Sequence, residues 1–162
     1  MVRARSSSVK GQTAAAVPDD GENVLFSVWL VARATADLLD KALAASGLDA
    51  DEFAVYSVLT SAPTLTPTEL AKWMAAPPTT MSSYVKRFEA RGHVVREPNP
   101  HDGRSYRLRL TDAGREAHRR AAELFTPALG TVVEALGDQE PTIRSALLTL
   151  RAALDQARGQ TA

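Results

Sequence analysis

The sequence predicts a mainly α-helical protein that carries one small β-hairpin. Three observations support this fold class. Apolar residues recur at the spacing of helices through most of the chain beyond residue 21. Prolines, glycines and capping residues divide that pattern into separate segments. One short stretch, residues 105–110, instead alternates polar and apolar residues, which is the period of a half-buried strand.

Composition excludes several function classes. The chain has 162 residues, of which 44% are hydrophobic, so one domain with a substantial core is expected. It contains no cysteine, which excludes disulfides, thiolate metal sites and a cysteine-based redox switch. No histidine stands at metal-ligand spacing, and no phosphate-binding loop, dinucleotide motif or nucleophile elbow occurs. We therefore expect no catalytic residues, no metal and no cofactor.

Neither a membrane span nor a signal peptide is expected. No apolar run approaches the roughly 20 residues that a membrane-spanning helix needs. The start of the chain, MVRARSSSVKGQ, lacks the apolar core of a signal peptide. Residues 1–20 are rich in serine, alanine and arginine, and we expect them to form a disordered tail. The expected location is the cytoplasm.

Residues 66–90 predict two helices joined by a short turn. Thr66 and Glu69 have the spacing of a capping box, which marks the start of the first helix. The proline pair at 77–78 separates the helices, because the residue before a proline is forced out of the helical region. Gly92 ends the second helix at a position that tolerates a left-handed conformation.

The second of these helices has two different faces. Its apolar stripe consists of Met81, Tyr84, Val85 and Phe88. The opposite face carries short hydroxyls and one long cation, namely Thr79, Ser82, Ser83 and Lys86. Such a face can contact phosphates and base edges in a DNA major groove. An ordinary solvated face would have the same composition, so this helix alone does not decide the function.

A β-hairpin is predicted directly after the second helix. Residues 98–103 are dense in turn residues and lie between an extended segment at 94–96 and the alternating stretch at 105–110. Residues 86–109 contain seven basic and three acidic residues, a local charge of +4 in a chain whose net charge is zero. A basic surface within a neutral protein is the electrostatic signature of a nucleic-acid interface. Its coincidence with a helix pair and a hairpin favours DNA binding over simple solvation.

Residues 48–115 resemble the winged helix-turn-helix of the MarR family of transcription regulators. The segments that carry the resemblance are LTPTELAKWM, RFEARGHVVRE and NPHDGRSYRLRLTDAGR. The last is the most specific, because it contains the Asp-x-Arg wing of the family at 102–104. The resemblance implies that Arg104 enters a minor groove and that Asp102 helps to hold the wing. Many family members have Ser-Arg-Ser at the start of the second helix, whereas this chain has Pro-Pro-Thr at 77–79.

The helix before the pair is predicted at 49–61. Asp49 occupies the N-cap position, and Glu52 follows three residues later as in a capping box. Pro63 ends the segment. The residues expected to face inward are Phe53, Tyr56, Val58 and Leu59.

The remaining helices are predicted to form a dimerisation bundle. A first helix at 22–46 has an apolar surface that is wide for a helix covering only its own domain. A second runs from 112 to 136, and Pro127 should kink it. The last follows an Asp138 cap and runs from 139 to about 158. The resemblance supports an interleaved homodimer built from these helices.

The resulting domain organisation has three parts. Residues 1–20 form the tail, and residues 48–114 form the winged helix-turn-helix domain. Residues 21–47 and 115–162 form the helical dimerisation region. The predicted function is a sequence-specific, DNA-binding transcriptional regulator, in which a homodimer binds a near-palindromic operator on double-stranded DNA. The resemblance further implies a repressor that a small aromatic effector releases from DNA.

Two sets of site residues follow. The candidate DNA contacts are Thr79, Thr80, Ser82, Ser83, Lys86, Arg87, Asp102, Arg104 and Arg107. The aromatic candidates to line an effector cleft between the bundle and the DNA-reading domain are Trp29, Phe53, Tyr56 and Trp73. Each of these aromatic residues could instead be part of the core.

Two alternatives remain at the level of the sequence. A winged helix can serve protein–protein contact without sequence-specific DNA binding, because a fold does not fix a function. A different winged-helix family would share the DNA function but form a different dimer.

Overall fold

The computed structural model describes residues 23–62 and 64–160, which form six α-helices and one antiparallel two-stranded sheet. The elements are α1 (Val24–Leu43), α2 (Ala50–Ser61), α3 (Pro67–Trp73), α4 (Pro78–Ala90), β1 (Val94–Pro98), β2 (Tyr106–Leu110), α5 (Asp112–Leu136) and α6 (Glu140–Gln160). The predicted fold class, mainly α-helical with a small hairpin, is confirmed. No helix among the described residues is long and apolar enough to cross a membrane. The predicted tail lies outside the described residues.

The chain divides into two units, residues 1–35 and residues 36–162, with the boundary inside α1. In the first unit the described part is the beginning of α1, where the rings of Phe26 and Trp29 stack with centroids 6.2 Å apart. Both side chains are exposed. Large exposed apolar side chains on one helix are typical of a surface that another protein segment covers.

The hydrophobic core lies within the second unit. Its buried residues come from the end of α1, from α2, α3 and α4, from the hairpin and from the first half of α5. Tyr56, Leu70, Phe88, Leu108 and Ala121 have no exposed surface. The rings of Tyr56 and Phe88 meet edge to face at 4.7 Å, which fixes α2 against α4.

The start of α3 confirms the predicted capping box. Thr66 Oγ1 accepts the Glu69 N–H at 3.3 Å, and Glu69 Oε2 accepts the Thr66 N–H at 2.8 Å. Hydrogen bonds from Thr66 lower the pKa of Glu69. The residue that precedes this cap, Leu65, accepts a hydrogen bond from the Leu108 N–H at 2.8 Å. The beginning of α3 is therefore bonded to β2.

The end of α3 is held by α6. A guanidinium nitrogen of Arg151 donates to the carbonyl of Trp73 at 3.1 Å. A guanidinium nitrogen of Arg158 donates to the carbonyl of Ala75 at 3.2 Å. These cations lie where the carbonyls at a helix C-terminus concentrate negative charge. Ala75 itself has a φ of 50°, the left-handed conformation that reverses the chain before α4.

Gly92 follows the C-cap of α4 in a left-handed conformation, as predicted. Its φ is +70°, and its N–H donates to the carbonyl of Glu89 at 2.9 Å. The next N–H, of His93, donates to the carbonyl of Phe88 at 2.9 Å. This pair of hydrogen bonds is a Schellman motif, which directs the chain from α4 into β1.

The hairpin register pairs Val94 with Leu110 and Pro98 with Tyr106. The side chains of Leu108 and Leu110 face the core, while Arg107 and Arg109 lie on the other side of the strand. The alternation predicted for residues 105–110 is therefore confirmed.

Helix α5 begins with an N-cap at Thr111. Thr111 Oγ1 accepts the Gly114 N–H at 3.1 Å, and the Thr111 N–H donates to the carbonyl of His93 at 3.0 Å. Gly114 is buried against that carbonyl. Since glycine has no side chain at this contact, α5 can approach the end of α4 closely. The helix runs on through Pro127, and the kink there stays a prediction.

Two predicted helix boundaries differ from the structure. Helix α1 ends at Leu43, before the turn that contains Gly47, rather than at residue 46. Residues Gly137–Gln139 form a 3-10 turn and α6 begins at Glu140, so the helix start predicted at 139 is wrong. Gly137 has a φ of +50°, which reverses the chain after α5, and Pro141 suits the first turn of the new helix.

Candidate nucleic-acid interface

The second helix of the pair, α4, has one buried and one exposed face. Its buried face consists of Met81, Val85 and Phe88. Its exposed side chains include five of those predicted to contact DNA, namely Thr79, Thr80, Ser82, Ser83 and Lys86, and the sixth candidate on this helix, Arg87, is half exposed. Short hydroxyls on an exposed helix let the backbone approach a DNA groove closely, and each hydroxyl can donate or accept. The structure therefore brings these five candidates onto one accessible helix.

The tip of the hairpin is called the wing, and Asp102 holds its backbone in place. A carboxylate oxygen of Asp102 accepts the backbone N–H of Arg104 at 3.0 Å. The Asp102 carbonyl accepts the N–H of Ser105, also at 3.0 Å. The Arg104 side chain is exposed beside this turn. Asp102 thus acts on the wing backbone, which agrees with the holding role implied by the resemblance, while Arg104 remains available to an external partner.

Arg107 lies at the base of the wing. Its Nε donates to the side-chain oxygen of Asn99 at 3.2 Å, and a guanidinium nitrogen donates to Thr64 Oγ1 at 3.3 Å. Both partners are neutral, so the positive charge of Arg107 is not compensated by them. The cation stays close to the segment that begins α3.

Two other cations of the basic cluster are neutralised within the fold. Arg96 makes a bidentate ion pair with Glu89, in which two guanidinium nitrogens lie 2.6 and 2.7 Å from the two carboxylate oxygens. The guanidinium also lies 4.3 Å from the centre of the Tyr106 ring. Arg109 pairs with Glu97 across the hairpin. These arginines join α4 to β1 and β1 to β2. Their charges stabilise the wing and leave less positive potential for DNA.

Glu52 forms buried ion pairs that sequence reasoning missed. The side chain was expected to complete a capping box with Asp49, but only half of that box forms: Asp49 accepts the Glu52 N–H at 2.8 Å. The Glu52 carboxylate is 2% exposed and pairs with two arginines of α4. Its Oε2 lies 2.9 Å from a nitrogen of Arg91, and its Oε1 lies 3.3 Å from a nitrogen of Arg87.

These ion pairs reduce the number of basic residues in 86–109 whose charge is available to DNA. Of the seven basic residues in 86–109, four pair with carboxylates of the same chain. The three without such a partner among the described residues are Lys86, Arg104 and Arg107. They lie on α4, at the wing tip and at the wing base, so each element of the candidate interface retains one cation.

The four aromatic effector candidates do not share one environment. Phe53 and Tyr56 are core residues: Phe53 stacks on His118 at 5.3 Å, and Tyr56 is fully buried. Trp73 is 51% exposed and Trp29 is 57% exposed. Core packing is therefore the role of the first two.

Trp73 borders two cavities in the second unit. One of about 240 Å³ is lined by Trp73 together with the α2 residues Ser57, Val58, Ser61 and Ala62. The other, of about 410 Å³, lies between α3 and α6 and is lined by Lys72, Trp73, Leu148 and Arg151. The Arg151 guanidinium is 5.4 Å above the Trp73 ring. The larger cavity combines an aromatic face with two cations, which suits a small aromatic anion.

His93 and His118 each make a side-chain contact to a residue of α2. His93 Nδ1 lies 2.9 Å from the Tyr56 hydroxyl, and His118 Nε2 lies 3.0 Å from Ser57 Oγ. Burial lowers the pKa of both histidines, with the charge of Arg91 adding to the effect at His93. Burial also raises the pKa of Tyr56 to about 12. Among the described residues no group of three or more histidine or carboxylate side chains could hold a metal ion.

Comparison with known proteins agrees with this geometry. Residues 46–105 match the model of the MarR family. The chain is 32% identical over 113 residues to the HTH-type transcriptional repressor Rv2887 of Mycobacterium tuberculosis, covering 70% of this chain and 79% of that protein.

Two solved structures are also similar. The transcriptional regulator MOSR of Mycobacterium tuberculosis, in complex with DNA, is 27% identical with a TM-score of 0.72, covering 85% of this chain and 99% of that one. The transcriptional repressor CouR, bound to a 23-mer DNA duplex, is 26% identical with a TM-score of 0.69, covering 83% and 94%.

Proposed function

Since this chain belongs to the MarR family of winged helix-turn-helix transcriptional regulators, we propose that it represses transcription by binding a near-palindromic operator as a homodimer. The family is one of regulators and not of enzymes. The observation that carries the proposal is the combination of an exposed hydroxyl face on α4 and an exposed Arg104 on an ordered wing. Repression is supported by the similarity to Rv2887, a transcriptional repressor, and DNA binding by the DNA-bound MOSR and CouR.

Each subunit contacts both grooves of the operator in this proposal. The hydroxyls of Thr79, Thr80, Ser82 and Ser83 lie in the major groove, and Lys86 and Arg107 contact phosphates. Arg104 enters the adjacent minor groove, where a narrow groove concentrates negative potential. Asp102 contributes by fixing the turn that presents Arg104. Two-fold symmetry places the half-sites about one turn, ~10 bp, apart.

Exposed apolar side chains on α5 and α6 support the homodimer. In the second unit they include Leu129, Val132, Val133, Ile143, Leu147 and Leu148. Apolar stripes of this length on two consecutive helices need a partner surface, because monomers rarely expose large contiguous apolar patches. A second copy of the chain offers the same stripes by symmetry.

Wild-type protein is expected to bind one DNA sequence selectively and with a steep salt dependence. The measurement is selection of a duplex from a random pool, followed by titration of that duplex between about 50 and 200 mM salt with nonspecific competitor. Three unpaired cations in each of two subunits predict a slope of log Kobs against log salt of about −5. Failure of the selection to enrich any sequence would instead favour a winged helix used for protein–protein contact.

We also propose that a small aromatic anion is the effector and that it occupies the cavity between α3 and α6. The site is a shallow depression that is open to solvent, and its volume of about 410 Å³ accommodates one side of a ligand of one or two rings. The Trp73 ring supplies a stacking surface, while Lys72 and Arg151 supply counter-charges. Because α3 belongs to the DNA-reading domain, a ligand at its end is well placed to change the geometry of that domain.

Benzoate is expected to quench the fluorescence of Trp73 and to weaken binding to the selected duplex. The chain has two tryptophans, so single variants assign the signal. Trp29→Phe should retain the quenching, and Trp73→Phe should lose most of it. Quenching that disappears in Trp29→Phe and persists in Trp73→Phe would place the ligand elsewhere.

A further inference from the structure

The recognition helix α4 is fastened to the first turn of α2 by a row of polar contacts. Tyr84, Arg87 and Arg91 occupy positions separated by three and four residues, so they form one stripe along α4. The Tyr84 hydroxyl donates to the carboxylate of Asp51 at 3.0 Å. The two arginines both reach Glu52. This stripe adjoins the exposed hydroxyl face of the same helix.

Glu52 is the buried member of this row. Within residues 23–62 and 64–160 it is the one charged residue that is buried. A buried carboxylate is costly unless it is paired, and removing one partner of a buried pair is far more destabilising than removing an exposed one. Of the two cationic partners of Glu52, Arg87 lies on α4 and Arg91 is its C-cap residue, so the need of Glu52 for counter-charge fixes the rotation of α4 about its own axis. The Arg91 hydrogen bond to Glu52 raises the pKa of Arg91, which is consistent with a strong pair.

Arg87 is held in two ways. Its guanidinium lies 4.6 Å above the ring of Tyr84, and one nitrogen faces Glu52 Oε1 at 3.3 Å. That carboxylate oxygen has no hydrogen-bond partner among the described residues, so Arg87 is its nearest compensation. If Arg87 turned towards a DNA phosphate, Glu52 Oε1 would lose this charge in a buried position. The cost of that loss opposes a phosphate contact by Arg87.

We propose that Glu52 is a positioning residue for DNA recognition and that Arg87 serves as its counter-charge rather than as a phosphate contact. Glu52 sets the orientation of α4, which in turn aims the hydroxyls of Thr79, Ser82 and Ser83 at the base edges. Lys86, the neighbour of Arg87 on the exposed side, contacts phosphate instead. This inference rests on the proposed DNA-binding function and assigns different tasks to two adjacent cations.

Glu52→Gln is expected to lower the ratio of specific to nonspecific DNA affinity about tenfold. The variant keeps the size of the side chain but removes the charge that holds the two arginines. Specific binding falls because α4 is no longer fixed in one orientation, whereas nonspecific binding depends on phosphate neutralisation and is retained. A merely destabilised protein would lose active molecules equally for both duplexes, so the ratio separates positioning from folding. The assay compares the selected duplex with a scrambled duplex of the same length.

Arg87→Met and Lys86→Met form a matched pair on the same turn of α4. Methionine keeps an apolar stem and removes the charge. Arg87→Met should leave the salt slope on the scrambled duplex unchanged, and Lys86→Met should reduce it by about 0.9 for each subunit. Arg87 is half exposed and Glu52 keeps its pair with Arg91 in this variant, so Arg87→Met is expected to fold.

The outcomes are distinct. An unchanged ratio in Glu52→Gln, or a salt slope that falls in Arg87→Met as it does in Lys86→Met, would overturn the inference while the proposed function stands. A wild-type protein that binds both duplexes equally would overturn the proposed function and the inference together. A lowered ratio in Glu52→Gln with an unchanged slope in Arg87→Met would support the assignment of both residues.

Discussion

Replacing Gly114 with alanine is expected to lower the free energy of unfolding by more than about 3 kcal/mol, the upper end of the usual cost of overpacking. A Cβ built at this buried residue of α5 would lie 2.1 Å from the carbonyl oxygen of His93. That oxygen belongs to the backbone and accepts the Thr111 N–H at 3.0 Å, so it cannot rotate away as a side chain would. The first turn of α5 would have to move away from the end of α4.

Urea unfolding at one fixed protein concentration measures the effect, because the stability of the proposed dimer would depend on concentration. Gly159→Ala is the matched control, since it also replaces a helical glycine, and its Cβ would meet no described atom within 4 Å. Alanine is the better helix former, so the control should be neutral or slightly stabilising. Equal unfolding midpoints for the two variants would mean that α5 is not fixed against His93.

Replacing Arg104 with alanine is expected to weaken binding to the selected duplex by at least tenfold, about 1.4 kcal/mol, with no change in thermal stability. The Arg104 side chain is exposed and has no carboxylate partner among the described residues, so the fold does not depend on its charge. The hydrogen bond that orders the wing is made by its backbone N–H and survives the substitution. The lost affinity would therefore come from the DNA contact itself.

His101→Ala is the matched control for this variant. His101 is exposed on the same turn and contributes a backbone N–H to Asn99 at 3.1 Å, which alanine retains. The operator affinity of the His101→Ala variant should stay within a factor of about two of the wild-type affinity. The loss expected for Arg104→Ala is at least tenfold, about 1.4 kcal/mol. Full operator affinity in Arg104→Ala would show that the wing does not contact DNA.

The elements of the DNA-reading unit could be predicted because their limits are local. The Thr66 and Glu69 box, the proline pair and Gly92 each act within a few residues of their own position, and each occupies the predicted place. The hairpin could be predicted for the same reason, since alternation is a property of one strand. The start of α6 was missed because a glycine and a proline close together allow a 3-10 turn as readily as a simple helix cap.

The electrostatics of the candidate site could not be predicted in this way. A count of charges treats each arginine as available, whereas the pairing of Arg87 with Glu52 depends on contact between α2 and α4. The two residues are 35 positions apart in the sequence. The spacing of Glu52 from Asp49 suggested a local role that its backbone N–H fulfils but its carboxylate does not. Among the aromatic candidates, Phe53 and Tyr56 are buried and Trp73 is exposed. Composition carries no information about this difference.

The short helix α3 has a mechanical consequence that follows from the bonds at its two ends. Its seven residues span only about 10 Å, at 1.5 Å per residue, so it is too short to bend appreciably. One end is tied to strand β2 through Leu65 and Leu108, and the other is tied to α6 through the carbonyls of Trp73 and Ala75. The helix is therefore a short, rigid connection between α6 and the wing. A displacement of α6 that keeps these bonds would also bear on the strand at the base of the wing.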